Sequence, residues 1–280
     1  MPTDFRLCGR AVVLTDIDDT MLPLTKPRAT EELSRFLEKL RFLGIEVIPV
    51  TFKTVVELEV LMSELRHDFI ALIAEGGCLM HAVKGLIKTG GLVKTAGVYD
   101  VIELCRPISH YEALLTRIEE DPRCFGRAVR LSNADSKIVS QLTGLPVESV
   151  RASQTRRYSD AFITRDVSCR DLIIDSARGA GLNPVQTRRA VHLLEGSKEE
   201  AVVTLLKGMN TPGRRLAVIG MGDNEADEGI LRHVDAPVVV SGEDAGWLKR
   251  AQYVRSLEEP PRSWMSSLRI ALSWFGMYIA

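Results

Sequence analysis

At 280 residues, with 45% hydrophobic and 26% charged side chains, the chain has the make-up of an ordinary folded protein large enough for two domains. Its formal net charge of −1 offers no strongly basic surface, so neither nucleic acid nor an anionic membrane is expected as a partner. The five cysteines (Cys8, Cys78, Cys105, Cys124 and Cys169) are odd in number and lack CxxC spacing, which argues against zinc and against a disulfide framework. One or two thiol pairs could still oxidise if the host is a hyperthermophile, a case where cytosolic disulfides occur. Met1 to Arg10 hold no long apolar core, so no secretory signal is read and a cytoplasmic location is the expectation.

The first element is the apolar run Val12-Val13-Leu14, fit for a buried parallel strand, which ends in Thr15-Asp16-Ile17-Asp18-Asp19-Thr20. Leu33, Phe36, Leu37, Leu40 and Leu43 keep helical spacing, with Gly44 as the stop. A strand follows over 45–50, with Pro49 favouring its end or a sheet edge. Thr54 suits the cap of a helix whose apolar face is Leu58, Leu61, Met62 and Leu65. The run 69–73 is a third strand. This βαβαβ rhythm predicts right-handed crossovers and a parallel sheet.

After Gly77 the rhythm breaks. Helices over 109–120 and 167–179 mix with short strand-like runs over 98–104, 161–164 and 190–194, a block too long for a loop. The expected architecture is therefore α/β: a Rossmann-like parallel-sheet core, residues 1–79 and 191–280, with an inserted α+β domain, residues 80–190. The core rhythm returns with a helix from Lys198, carrying Ala201, Leu205 and Leu206, and strands over 216–219 and 235–240. Near the end, Trp264, Met265, Leu268, Ala271, Leu272 and Phe275 fall on one helical face interrupted by Arg269. The stretch is shorter than the ~20 apolar residues that span a bilayer, so core packing is expected, with a homodimer contact second and a membrane anchor third.

The chemistry concentrates at strand ends. A carboxylate just past a buried parallel strand lies at the carboxyl edge of the sheet, where open α/β sheets bind ligands. Asp16 and Asp18 could share Mg²⁺ with a substrate phosphate; Asp16 then suits a nucleophile and Asp18 a general acid and base. The alternative is an Asp-rich surface turn with Thr20 as a helix cap. Thr51 and Lys53 offer a hydroxyl and an ammonium to phosphate oxygens, or else a cap beside a solvated lysine. Lys198 opens a helix against the dipole, which suggests an acidic partner or a phosphate, the alternative being an incidental surface lysine. Gly220-Met221-Gly222-Asp223 follows a strand directly and delivers Asp223 and Asp227 to the same edge.

Taken together, Asp16-x-Asp18-x-Thr20, Thr51, Lys198 and Gly222-Asp223-x-x-x-Asp227 resemble the haloacid dehalogenase superfamily, and the inserted block looks like its C2-type cap. Within it the chain is similar to the mannosyl-3-phosphoglycerate phosphatases, through Thr51-Phe52-Lys53-Thr54, Ala74-Glu75-Gly76-Gly77, Leu142-Thr143-Gly144-Leu145-Pro146 and Arg156-Arg157-Tyr158-Ser159-Asp160. The resemblance implies a nucleophile at Asp16 and an acid/base at Asp18, with Thr51 and Lys198 on the phosphoryl oxygens. It implies Mg²⁺ held by the Asp16 carboxylate, the Asp18 carbonyl and Asp223, with Asp227 nearby. Thr20, Lys53, Arg156, Tyr158 and Ser159 become candidates for substrate contact. The Arg156 fork would fit a glycerate carboxylate, while Tyr158 reads equally as a packed core ring.

The chain departs from the family pattern at three places. Ala226 stands where an Asn is expected, Phe52 replaces a small residue, and Gly76 replaces an Asn after Glu75. Three functions follow in order: Mg²⁺-dependent hydrolysis of mannosyl-3-phosphoglycerate to mannosylglycerate through an aspartyl phosphate; the same reaction on glucosyl-3-phosphoglycerate, sucrose phosphate or another sugar phosphate; and a weakly catalytic sugar-phosphate-binding regulator, suggested by Ala226.

Overall fold

A computed structural model describes residues 11–24, 30–87, 94–209, 216–240, 247–248, 254–255 and 258–279. The elements run β1 (Ala11–Thr15), α1 (Glu31–Phe42), β2 (Ile45–Pro49), α2 (Val55–Leu65), β3 (Ala71–Ala74), β4 (Leu79–Val83), β5 (Lys94–Ala96) and β6 (Tyr99–Glu103). Next come α3 (Glu112–Glu120), β7 (Ala128–Arg130), α4 (Ser136–Thr143), α5 (Val147–Ser153), β8 (Ser159–Thr164), α6 (Val167–Gly179), β9 (Asn183–Gln186) and β10 (Val191–Leu194). The chain closes with α7 (Lys198–Met209), β11 (Ala217–Gly222), α8 (Glu228–Leu231), β12 (Ala236–Val239), β13 (Val254–Arg255) and α9 (Arg262–Ser273).

The parallel sheet has the order β13-β12-β11-β1-β2, so β1 is an interior strand between β11 and β2. Its unbroken apolar run is explained by two covered faces. Ala11, Val13 and Ile17 enter one core cluster with Leu33, Leu37, Leu58 and Leu61 of α1 and α2 and with Trp264 and Leu268 of α9. Val12 and Leu14 enter the opposite cluster with Ala201, Val202 and Leu205 of α7. Each such fully buried aliphatic side chain contributes roughly 1.5–3 kcal/mol of transfer free energy. Pro49 ends β2 as expected, and the Thr54 side chain caps α2 in a box with Glu57.

The third strand joins the sheet through a single parallel bridge, Val50 to Ile73, and then pairs antiparallel with β4. A second four-stranded sheet, β3-β4-β6-β5, grows from it. Met80 and Ala82 of β4 lie in the same cluster as Val12 and Leu14, with Ile102 of β6 packed against it. The third sheet, β7-β8-β10-β9, is wholly antiparallel and is covered by α3 and α6 through Leu115, Ile118, Phe162, Cys169 and Ile173. These antiparallel strands fit the inserted cap. Around the expected junctions at 79/80 and 190/191, β4 and β6 pack with the core, and β10 pairs with β8 and β9. We therefore propose that the insertion runs from about residue 106 to 194. Arg106 and Glu195 join the two crossings, with Arg106 Nε donating to Glu195 Oε1 at 2.6 Å and its backbone N–H to Oε2 at 2.7 Å.

Two disulfides, Cys78–Cys105 and Cys124–Cys169, correct the expectation drawn from cysteine spacing. The fold brings their Cα atoms to 4.9 and 4.8 Å across 27 and 45 residues, which no local spacing signals. Cys8 lies outside the described residues. Helix α9 buries Trp264, Met265, Leu268, Ala271 and Leu272 in the core, as core packing requires, whereas Phe275 lies beyond the helix end and is partly exposed. No helix among the described residues is long and apolar enough to cross a membrane.

Candidate active site

Asp16 is the first residue beyond β1, and its backbone N–H extends the ladder to Met221 O at 3.0 Å. Trp264 Nε1 donates to Thr15 Oγ1 at 3.0 Å, and Thr15 Oγ1 donates to the Asp16 carbonyl at 2.7 Å. The C-terminal helix thus pins the backbone at Asp16. Lys198, on the first turn of α7, is buried and reaches Asp16 Oδ1 at 3.1 Å and Asp227 Oδ1 at 2.7 Å. Its position against the helix dipole is offset by these two carboxylates. Burial works against the Lys198 charge, yet Asp16 and Asp227 hold the ammonium above the ordinary lysine range.

The loop after β11 completes the cluster. Asp227 Oδ2 accepts the backbone N–H groups of Asp223, at 3.1 Å, and Asn224, at 3.4 Å. Only glycine fits at 222, because a Cβ there would stand 2.4 Å from Asp227 Cβ. Asp223 Oδ1 accepts from Thr20 Oγ1 and from Asn224 Nδ2, both at 3.0 Å. Asn224 therefore supplies an amide to Asp223, while Ala226 stands where an Asn was expected. Thr20, read as a substrate contact, is instead fully buried with its hydroxyl on Asp223.

Carboxylate oxygens of Asp16, Asp223 and Asp227 lie within 4.8 Å of one another. Burial first, then the facing carboxylates of Asp227, Asp18 and Asp223, push the Asp16 carboxyl up to about 8 against the pull of Lys198. Burial and Asp227 likewise push Asp223 up to about 6. Three converging carboxylates with one ammonium among them are short of positive charge, and the all-oxygen donor set suits a hard divalent cation such as Mg²⁺.

Asp18 lies at the mouth of this cluster, with Lys53 Nζ 2.8 Å from its Oδ1 and Glu57 Oε1 3.8 Å from the same ammonium. Lys53, read as a phosphate ligand, is placed on the acid/base candidate. Thr51 is buried at the end of β2, its N–H donating to Ile73 O at 3.0 Å. Asp16, Asp18, Thr51, Lys53, Lys198, Asp223 and Asp227 are thus gathered at one sheet edge.

The cap candidates are arranged differently. Glu75 of the core accepts the backbone N–H groups of Arg157, Tyr158 and Ser159 at 3.0, 2.8 and 2.9 Å and the Ser159 hydroxyl at 3.0 Å. Ser159 is therefore engaged by Glu75. Arg156 is buried, with Nε on Ser153 O at 2.8 Å and Nη1 on Ser159 Oγ at 3.2 Å. Tyr158 takes the packed-ring alternative: its ring belongs to the core cluster, and burial together with its Glu103 partner pushes the phenol up to about 12. The sequence assigned no site role to Glu75, Asn224 or His192, and read Trp264 only as a core-packing residue. The Glu75 signal was an acidic residue between an apolar strand and a pair of glycines; Asn224 and His192 carried none.

No family model matches the chain. It is 31% identical to a mannosyl-3-phosphoglycerate phosphatase from Aeropyrum pernix over 169 residues, spanning 59% of this chain and 58% of that protein. Over 232 residues it is 24% identical to a glucosyl-3-phosphoglycerate/mannosyl-3-phosphoglycerate phosphatase from Persephonella marina, 82% of this chain and 84% of that one. A phosphatase of the haloalkanoate enzyme superfamily from Bacteroides thetaiotaomicron shares the fold with a TM-score of 0.66 and 15% identity, covering 96% of both chains. The chain is thus similar in sequence to phosphatases of glycosyl phosphoglycerates, and its parallel-sheet core with separate antiparallel sheets is the fold of the haloalkanoate-superfamily phosphatase.

Proposed function

We propose that the protein is a Mg²⁺-dependent phosphomonoesterase that hydrolyses mannosyl-3-phosphoglycerate to mannosylglycerate and phosphate, acting in the cytoplasm to make a compatible solute. One observation carries the reading: Asp16, Lys198, Asp223 and Asp227 converge at the carboxyl edge of the sheet, within 3.1 Å for each Lys198 contact, beneath a cap joined to the core by Glu75. The named likeness to phosphatases of glycosyl phosphoglycerates supports the substrate class. Mg²⁺, held by the carboxylates of Asp16 and Asp223 and the carbonyl of Asp18 with Asp227 nearby, would offset the charge of the approaching phosphate.

The residues then divide the work. Lys198 orients the Asp16 carboxylate and, with the Thr51 hydroxyl, meets the phosphoryl oxygens. An Asp16 oxygen attacks phosphorus, the bond from phosphorus to the ester oxygen breaks, and Asp18 gives its proton to the leaving oxygen. Asp18 next takes a proton from water as that water attacks the aspartyl phosphate. Phosphate leaves and the Asp16 carboxylate is restored. Lys53 fixes the direction of Asp18, and Arg156, whose Nη2 has no hydrogen-bond partner among the described residues, is the proposed contact for the glycerate carboxylate.

Glucosyl-3-phosphoglycerate is the second substrate reading, favoured by the dual name of the Persephonella relative. The weakly catalytic regulator, suggested by Ala226, is the third reading. Phosphate release from both glycosyl phosphoglycerates and from sucrose phosphate, with Mg²⁺ and with EDTA, tests the proposal. The mannosyl ester should be hydrolysed only with Mg²⁺, and Asp16→Asn should keep the fold while losing turnover. Wild-type rates in Asp16→Asn would remove the nucleophile and the mechanism with it.

A further inference from the structure

Strand β10 alternates its side chains: Val191 and Leu193 enter the helix-covered cluster of the cap, while Leu194 reaches the core cluster. His192, opposite Ala161 of β8, shares the face of Leu194 and stacks on Phe52 of the core, ring centroids 4.3 Å apart and planes 25° from parallel. Lys198 Nζ lies 4.8 Å from the centroid of that same Phe52 ring. Phe52 directly follows Thr51, so a cap histidine stands one ring away from the residues that face the phosphoryl group. His192 Nδ1 is shielded from solvent and has no hydrogen-bond partner among the described residues. An unpaired buried polar atom is costly, so one retained beside the site calls for a partner.

The electrostatic setting defines what that partner can be. Burial, then the nearby charges of Arg156 and Lys198, pull the imidazole down to about 3, so the ring is neutral at ordinary pH. A neutral imidazole between two cations offers a hydrogen bond to a hydroxyl without adding a charge. The room for the stack comes from Gly76, where a Cβ would stand 2.6 Å from Phe52 Cε1. Phe52 and Gly76 thus act together to seat an aromatic ring under His192.

We infer that His192 is a specificity-determining residue, its Nδ1 hydrogen-bonding a hydroxyl of the organic group esterified to the phosphate, with Phe52 as the platform that orients the ring. The inference rests on the phosphatase reading and deepens it. His192→Phe keeps a ring on Phe52 and removes the nitrogen. His192→Asn returns a polar atom near the place of Nδ1, whereas His192→Gln puts it near Nε2.

The test compares kcat/KM for mannosyl- and glucosyl-3-phosphoglycerate with that for para-nitrophenyl phosphate, in wild type and all three variants. For the glycosyl esters, His192→Phe should lose at least tenfold more than for the aryl ester, chiefly through a higher KM. His192→Asn should recover part of that loss and His192→Gln should not. Equal losses on every ester, or equal behaviour of the Asn and Gln variants, overturn the role of His192 while leaving the phosphatase reading standing. A wild-type enzyme that cleaves the aryl ester but neither glycosyl ester overturns the inference along with the substrate class. Absence of phosphate release from any ester sinks the function itself. Melting curves of the variants separate loss of fold from loss of recognition.

Discussion

At the scale of single residues, the site is built from side chains that constrain one another in pairs. Gly76 has φ +70, and an added Cβ would meet Phe52 Cε1 at 2.6 Å and Leu194 Cδ1 at 2.8 Å. Gly76→Ala should therefore cost about 2–3 kcal/mol, one part from the left-handed backbone and one from overpacking against the ring. In a Phe52→Ala background the clash with the ring should vanish, leaving the backbone cost of about 1–2 kcal/mol and the contact with Leu194. Denaturant midpoints for the four proteins of this cycle give the coupling directly; an identical cost in both backgrounds would mean that the Phe52 ring does not constrain Gly76. Asp16, Asp18, Lys198, Asp223 and Asp227 were legible because each follows or precedes a predicted element at the sheet edge, where sequence order fixes position. Tyr158 and Thr20 were not. A ring or a hydroxyl two residues from a motif gives no sign of whether it turns to the ligand or to a neighbour, and here both turned inward.

At the scale of elements, α1 and α2 were readable from their apolar spacing, but the polar contact between them was not. Arg41, near the end of α1, brings Nη2 to 3.4 Å from His67 Nε2, just beyond the left-handed cap of α2 at Arg66. Burial first and the Arg41 charge second pull His67 down to about 4, with Asp68 opposing. The unfolded chain binds the proton near 6.5, so between there and about 4 the unfolded state holds more protons than the folded one. This residue therefore leaves stability intact above pH 6.5 and removes it progressively as pH falls toward 4. His67→Gln should flatten that part of the profile. The gap between wild-type and variant melting temperatures should shift in the variant's favour on acidification from pH 7 to 4.5, while carboxylates elsewhere titrate alike in both. A constant gap would mean that His67 protonates as easily in the fold as in the open chain. Strand β10 shows the same limit of element reading: Val191-His192-Leu193-Leu194 carries no mark that distinguishes a core strand from the partner of an antiparallel cap strand.

At the scale of the whole molecule, the cap is held on the core by contacts between residues far apart in sequence, which is why the insertion was legible and its seating was not. Thr54 Oγ1 donates to Ala152 O at 3.0 Å, Arg188 Nη1 lies 3.3 Å from Asp19 Oδ2, and Glu75 gathers the N–H groups of residues 157–159. Of these, Glu75 is the strongest tie, because a buried carboxylate here meets three successive amides and a hydroxyl. Its own backbone is knit to the catalytic edge, Glu75 N–H donating to Lys53 O and Gly76 N–H to Thr51 O, both at 2.9 Å. Loosening this residue should free the cap without touching Asp16, Lys198 or Asp223. Glu75→Gln keeps the shape but weakens the acceptor and turns an NH₂ toward N–H donors. Hydrogen bonds to a charged group contribute ~1.5–3 kcal/mol each, so the docked arrangement should lose at least that much relative to an undocked one. Amide exchange at 157–159 should then speed up by roughly 10–150-fold, with exchange in β1 and β11 unchanged. If phosphate transfer needs the cap closed over the ester, KM for a glycosyl phosphoglycerate should rise in the same variant. Exchange at 157–159 equal to wild type would show that the other contacts hold the cap by themselves, and equal acceleration in β1 would mean that Glu75 supports the core and not the docking.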